Sequence, residues 1–138
     1  MDRMTETLKC KARQPFTASS YSDQILIKQL VKARYDAEVM LTVLFDHFSF
    51  NTPQPSDFEW VPNAYSRNII HRDETGFEIM IARWDEGAGS PIHGHPDFAL
   101  VYVISGKLRE TLYARDRSSI SEELTTIHRA GDYTYHRG

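Results

Sequence analysis

Cysteine is scarce in this sequence, which has Cys10 as the single cysteine among 138 residues. One thiol can form no intramolecular disulfide and can supply no multi-cysteine zinc site, and such usage is typical of a reducing compartment. The N-terminal residues contain no apolar signal core, and no hydrophobic run approaches the roughly 20 residues that a membrane-spanning helix needs. These absences predict a cytoplasmic protein with no membrane as a partner.

Positive and negative side chains nearly balance, and the formal net charge is only -3. This balance argues against a general nucleic-acid-binding surface and gives no reason to expect binding to an anionic membrane. The composition, 41% hydrophobic and 25% charged, is that of an ordinary globular protein. The length predicts a single domain overall.

The N-terminal third of the chain differs in texture from the rest. Residues 1–20 are polar and lack periodicity, which predicts a loose arm. Ser22 is a candidate N-cap, and apolar residues at helical spacing then predict one or two helices between about residues 22 and 48. We therefore assign residues 1–50 to an arm with helices that pack on the remainder, and the proline-containing residues 51–62 to a linker.

Residues 63–138 consist of short extended segments separated by turn signals. The predicted strands are Tyr65–Ile70, Phe77–Trp84, Phe98–Ile104, Leu108–Ala114, Leu124–His128 and Tyr133–His136. Short strands that follow a helical arm indicate a mainly β fold, in which an antiparallel sheet curls into a barrel or jelly roll.

The most distinctive segment is Gly87-Ala-Gly-Ser-Pro-Ile-His93-Gly-His95, with Gly106 eleven residues further on. Side chains two positions apart on an extended segment point to the same side. His93 and His95 can therefore present two imidazoles to one metal ion. Iron, zinc, copper and nickel all accept neutral imidazole, so the pair alone does not identify the metal.

The spacing Gly87-x5-His93-x-His95-x3-Ala99-x6-Gly106 resembles the first motif of the cupin superfamily. Three segments narrow the resemblance to the cysteine dioxygenase type I family, and it covers about residues 60–138. They are Tyr65-Ser-Arg67-Asn, Trp84-Asp-Glu-Gly-x-Gly-Ser-Pro-Ile-His93-x-His95 and Gly106-Lys-Leu-Arg-Glu110-Thr-Leu-Tyr113. In the commonest cupin motif the position of Ala99 is a metal-binding glutamate, so the resemblance implies a three-histidine site here.

The resemblance implies a cupin-like double-stranded β-helix that holds mononuclear Fe(2+) through His93, His95 and a third histidine. The implied reaction oxidises the small thiol L-cysteine with O2 to cysteine sulfinic acid. Arg67 matches the arginine that binds the substrate carboxylate, and Tyr65 matches a neighbouring residue that contacts the substrate. A structural ion pair or an exposed position is the alternative for Arg67, and a core position is the alternative for Tyr65.

The third histidine of the family is expected shortly after the last predicted strand, whereas the sequence ends at Gly138. We therefore expect a dioxygenase-like cupin cut short, with His136 as a candidate substitute ligand if its strand turns inward. The alternatives are an inactive cupin that binds a metal or ligand, and a fragment of a longer dioxygenase.

Three further polar residues bear on the site. Glu110 and Asp97 are candidates to orient a ligand histidine, although an exposed position is the commoner outcome for such residues. His128 precedes a turn signal and is expected in solvent.

Overall fold

The computed structural model describes residues 3–6, 24–51, 53, 58, 60–95 and 98–137. Their elements are β1 (Arg3–Glu6), α1 (Gln24–Lys32), α2 (Ala37–Phe50), β2 (Tyr65–Arg72), β3 (Glu78–Trp84), β4 (Phe98–Tyr102), β5 (Lys107–Asp116), β6 (Ser119–Arg129) and β7 (Tyr133–Arg137). Two helices and a set of antiparallel strands confirm the predicted mainly β, cupin-like class. None of the helices in these ranges is long and apolar enough to cross a membrane.

The chain divides into two compact units. The helical unit is Cys10–Ala88, and the C-terminal unit combines Met1–Lys9 with Gly89–Gly138. The helical unit contains α1, α2 and the pair β2–β3, whereas the C-terminal unit contains the remaining strands. The predicted linker and single-domain organisation stay predictions.

The two helices of the helical unit confirm the predicted helical segment. Helix α1 is amphipathic, and Leu26, Ile27 and Leu30 form its buried side. Helix α2 begins after Asp36, whose carboxylate accepts a hydrogen bond from the backbone N–H of Val39 at 3.2 Å. An acidic N-cap of this kind satisfies a donor that the first helical turn leaves open. Ser22, the expected N-cap of the first helix, lies outside the described residues.

Strands β2 and β3 form an antiparallel hairpin that carries the Tyr65–Arg67 segment. Tyr65 pairs with Trp84 and Arg67 pairs with Ala82. The register shifts by one residue between Ile69 and His71, so that Ile70 is an extra residue in β2. A β-bulge of this kind reverses the alternation of side chains beyond it.

The C-terminal unit contains a three-stranded sheet in the order β1-β5-β6 and the two-stranded pair β4–β7. The prediction of a loose arm is wrong for Arg3–Glu6, because this segment pairs with β5 as an antiparallel strand. Strand β6 starts at Ser119, well before the predicted Leu124, since its polar first half completes a hairpin with β5. Long-range pairing therefore extends the strands beyond their apolar cores.

Candidate metal and substrate site

His93 and His95 follow a turn that uses a left-handed backbone conformation at Gly87, where φ is 74°. The two ring centroids lie 4.9 Å apart, with the ring planes nearly perpendicular at 81°. The Nδ1 atom of His93 lies 2.7 Å from the backbone oxygen of Pro91. A carbonyl oxygen only accepts hydrogen bonds, so Nδ1 carries a proton and Nε2 of the neutral ring keeps its lone pair. The segment thus supplies an adjacent imidazole pair with one ring oriented by the backbone.

The charge of His95 is set by its surroundings. Burial and the nearby imidazoles of His93 and His136 together lower the pKa of His95 to about 4, although Glu110 acts in the opposite direction. His95 is therefore neutral at physiological pH. A neutral imidazole is the form that binds metal ions.

His136 on β7 lies against this pair. Its ring stacks on the ring of His95 with centroids 5.3 Å apart and planes only 11° from parallel. Its Nε2 atom lies 2.8 Å from Oε2 of Glu110. An ionised carboxylate only accepts hydrogen bonds, so this nitrogen donates and offers no lone pair to a metal. This bond leaves only Nδ1 of the neutral ring for a metal ion, and the role of His136 as a substitute third ligand stays a prediction.

Glu110 on β5 is the buried centre of this histidine cluster. Its Oε1 atom accepts hydrogen bonds from His128 Nε2 at 3.1 Å and from Thr134 Oγ1 at 3.0 Å. Burial raises the pKa of this carboxyl, but the hydrogen bonds from His136 and His128 outweigh it and lower the pKa to about 2. The Glu110 side chain is 8% exposed and that of His128 is 10% exposed.

The expectation of exposed positions for Glu110 and His128 is therefore wrong. Leu108 and Leu112 flank Glu110 at two-residue spacing on β5, and His128 pairs with Leu108 across the hairpin. Alternation with leucines was a signal in the sequence that Glu110 faces inward. The partner histidines could not be read the same way, since their register with β5 depends on tertiary pairing. Asp97, the other candidate for orienting a histidine, lies outside the described residues.

Tyr65 and Arg67 belong to the helical unit and share one face of the β2–β3 hairpin. Tyr65 is buried and stacks on Trp84 with ring centroids 5.6 Å apart. Arg67 donates from Nη2 to Oε1 of Glu78 at 3.1 Å. The Trp84 Nε1–H group is buried and has no hydrogen-bond partner within the described part of the chain. This face carries the Arg67 guanidinium beside the stacked rings of Tyr65 and Trp84, and the substrate-binding roles of Arg67 and Tyr65 stay predictions.

The residues fit the iron(II) implied by the resemblance in part. His93 and His95 have the donor type, the proximity and, for His95, the protonation state that such an ion needs. Across residues 24–51, 60–95 and 98–137, no group of three His, Cys, Asp or Glu side chains could hold a metal ion. The pair supplies two of the three histidines that the resemblance implies, and its role as a metal ligand pair stays a prediction.

The chain is similar in sequence to a known family. The chain matches the sequence model of the family described as "Cysteine dioxygenase type I" over residues 4–133. It is 41% identical over 51 residues to cysteine dioxygenase type 1 of Bos taurus, a segment that covers 36% of this chain and 26% of that protein. The proteins of the same name from Rattus norvegicus and Danio rerio are each 40% identical over 50 residues, covering 36% of this chain and 25% of theirs.

The matched segments thus span about a quarter of the length of these relatives. No solved structure matches the chain. The family model, in contrast, covers nearly all of the sequence. On this evidence, the chain belongs to the cysteine dioxygenase type I family.

Proposed function

We propose that this protein is an iron(II)-dependent thiol dioxygenase that oxidises L-cysteine to cysteine sulfinic acid. The observation that supports this proposal best is the His93–His95 pair, which combines adjacent rings with a neutral His95 and a backbone-oriented His93. Membership of the cysteine dioxygenase type I family gives the pair its chemical context. The single cysteine suits a reducing, cytoplasmic setting for the activity.

In this proposal the thiol RSH and O2 combine to RSO2H, so every atom of both reactants is kept. The sulfur loses four electrons, dioxygen gains them, and two S–O bonds form as the O–O bond breaks. Iron(II), when bound by His93 and His95, supplies the redox-active centre that this exchange requires. The product lies two steps up the oxidation ladder from the thiol.

The substrate carboxylate is assigned to Arg67, because a guanidinium presents paired N–H donors that match the two carboxylate oxygens. Tyr65 would line the substrate face, held in place by its stacking on Trp84. These assignments favour an amino-acid thiol over a thiol without a carboxylate.

A second candidate function is a cupin that binds metal or ligand without turnover. It is favoured by the lack of a three-residue metal-binding group among the described residues. The hydrogen bond from His136 Nε2 to Glu110 points the same way, since it leaves only Nδ1 of that ring for a metal ion.

One experiment separates the two functions. The full chain is loaded with iron(II), its bound iron is measured, and oxygen uptake and sulfinate formation are followed with L-cysteine. The dioxygenase proposal expects one O2 consumed per sulfinate formed, and the loss of both in His93→Ala. Bound iron without sulfinate would support the binding module, and a chain that binds no iron would contradict the dioxygenase proposal.

A further inference from the structure

Glu78 on β3 bridges two arginines on the proposed substrate face. Its Oε1 atom accepts a hydrogen bond from Nη2 of Arg67 at 3.1 Å. Its Oε2 atom accepts one from Nε of Arg72 at 2.6 Å and also contacts the Nη2 atom of that residue. The Glu78 side chain is 19% exposed and that of Arg67 is 25% exposed. The ion pair is therefore better shielded from water than a surface pair, and its geometry is held at both carboxylate oxygens.

The β-bulge at Ile70 makes this bridge feasible. Arg67 and Arg72 are five positions apart, and strict alternation along a strand would place them on opposite faces. The extra residue reverses the alternation, so Arg72 pairs directly with Glu78 while Arg67 pairs with Ala82 on the same face. The local backbone thus brings two guanidinium groups to one carboxylate.

The bridge engages one edge of the Arg67 guanidinium. Nε lies 3.3 Å from Sδ of Met80, and Nη2 donates to Glu78. These two nitrogens form the side edge of the planar group. Its end, formed by Nη1 and the second N–H of Nη2, has no hydrogen-bond partner in the described part of the chain. A pair of parallel donors is therefore left to face a ligand.

We propose that Glu78, itself held by Arg72, is a positioning residue that fixes Arg67 so that its end-on N–H pair receives the α-carboxylate of an amino-acid thiol. This inference rests on the proposed role of Arg67 and assigns to Glu78 the selection of thiols that carry a carboxylate. The physical basis is preorganisation: an arginine already fixed along one edge loses less conformational freedom when a ligand binds its other edge. The cluster of two arginines and one glutamate also keeps a net positive charge, which suits an anion.

The test compares the dissociation constants of L-cysteine and cysteamine, which lacks the carboxylate. They are measured by calorimetry on the iron-loaded full chain without oxygen. The wild-type protein should prefer cysteine, and Arg67→Ala should lose that preference. Glu78→Ala should lower the ratio of the two affinities by up to about tenfold, the size expected when a freely rotating side chain must be fixed on binding.

Glu78→Gln keeps an oxygen acceptor at the same position and should restore most of the ratio. Arg72→Ala removes the second anchor of Glu78 from a side chain that is 48% exposed, and should give a smaller loss than Glu78→Ala. Glu74→Gln is the matched control, because it removes one negative charge from the exposed turn of the same hairpin. The ratio of this control should equal that of the wild type.

A second readout follows the guanidinium directly in the iron-free chain. In arginine-labelled protein, NMR should show slow rotation about the Nε–Cζ bond of Arg67 in the wild type and in Glu78→Gln. The rotation should be fast in Glu78→Ala. A general loss of structure in a variant would broaden or shift many arginine signals, so the selective change separates positioning from destabilisation.

The possible results separate the positioning role of Glu78 from the proposed substrate-binding role of Arg67. If the wild type shows no preference for cysteine, or Arg67→Ala retains it, the proposed role of Arg67 is wrong and the inference falls with it. If Arg67→Ala loses the preference while Glu78→Ala keeps it, only the positioning role is overturned. Loss of the preference in both Glu78→Ala and Glu78→Gln would also contradict positioning, since the acceptor is present in the latter. Should Glu78→Ala fail to fold, an unchanged ratio in Arg72→Ala together with fast Arg67 rotation in the wild type would overturn it.

Discussion

Each unit of the molecule contains one glutamate that bridges two basic side chains, and the two bridges differ in chemistry. In the C-terminal unit, Glu110 joins His128 and His136 through separate carboxylate oxygens. In the helical unit, Glu78 joins Arg67 and Arg72 in the same manner. Arginine is always charged, whereas a histidine beside a buried carboxylate can lose its proton.

This difference matches the kind of ligand that each region suits. The histidine cluster includes His95, whose low pKa keeps it neutral and able to bind a cation. The arginine cluster keeps a net positive charge and suits an anion. Similar bridging geometry thus occurs beside a candidate cation site and within a candidate anion site, because the side chains around each glutamate differ in whether their charge is fixed.

The largest effect is expected from His95→Ala, which removes one of the two proposed ligands. Affinity for iron(II) should fall by more than about a hundredfold, since even second-sphere changes cost 10–100-fold at metal sites. Metal analysis after loading at a series of iron concentrations measures the change. His47→Ala, on helix α2, is the control and should bind iron like the wild type. If the His95 variant bound iron(II) as tightly as the wild type, the assignment of the cation site to the C-terminal unit would be wrong.

The next effect concerns the buried bridge in the histidine cluster. Glu110→Ala leaves the buried donors of His128 and His136 without their acceptor, and should lower the free energy of unfolding by about 3 kcal/mol. Urea-induced unfolding at neutral pH measures it. Glu122→Ala, which removes an exposed carboxylate from the paired strand β6, should cost less than about 0.5 kcal/mol. If the Glu110 variant were as stable as this control, the expected contribution of the Glu110 bridge to the free energy of unfolding would be wrong.

A smaller, pH-dependent effect is expected at the turn of the β2–β3 hairpin. Hydrogen bonds from Thr75 and His71, with the charge of Arg34, lower the pKa of Asp73 to about 2. Its folded-state pKa is below the unfolded value, so its contribution to stability is complete above the unfolded pKa and is lost as the pH falls through about 2. Asp73→Asn should therefore be less stable than the wild type at about pH 5, with the difference shrinking toward about pH 2.

Denaturant midpoints for both proteins across that range test the sign. Glu74→Gln serves again as control, since it removes the neighbouring exposed carboxylate of the same turn. A difference between wild type and Asp73→Asn that grew on acidification would contradict the lowered pKa.

Local sequence patterns were sufficient to predict the existence of the helices, the six predicted strands and the His93–His95 pair. The pair is only two residues apart, so its common direction follows from the backbone of one short segment. The partners of Glu110, in contrast, lie 18 and 26 positions further along the chain. Only the pairing of β5 with β6 and the path of β7 bring them together, and the sequence offers many registers for such pairings.

The sequence by itself determined the mainly β class, the family and the candidate ligand pair, because these depend on residue spacing and on motifs read within one segment. Tertiary structure alone decided that Arg3–Glu6 is a strand, that His128 and His136 meet Glu110, and that the Ile70 bulge places Arg72 on the face of Arg67. The physical reason is the same in each case. Strand pairing and burial depend on groups distant in the sequence, and one shift in register changes which side chains meet.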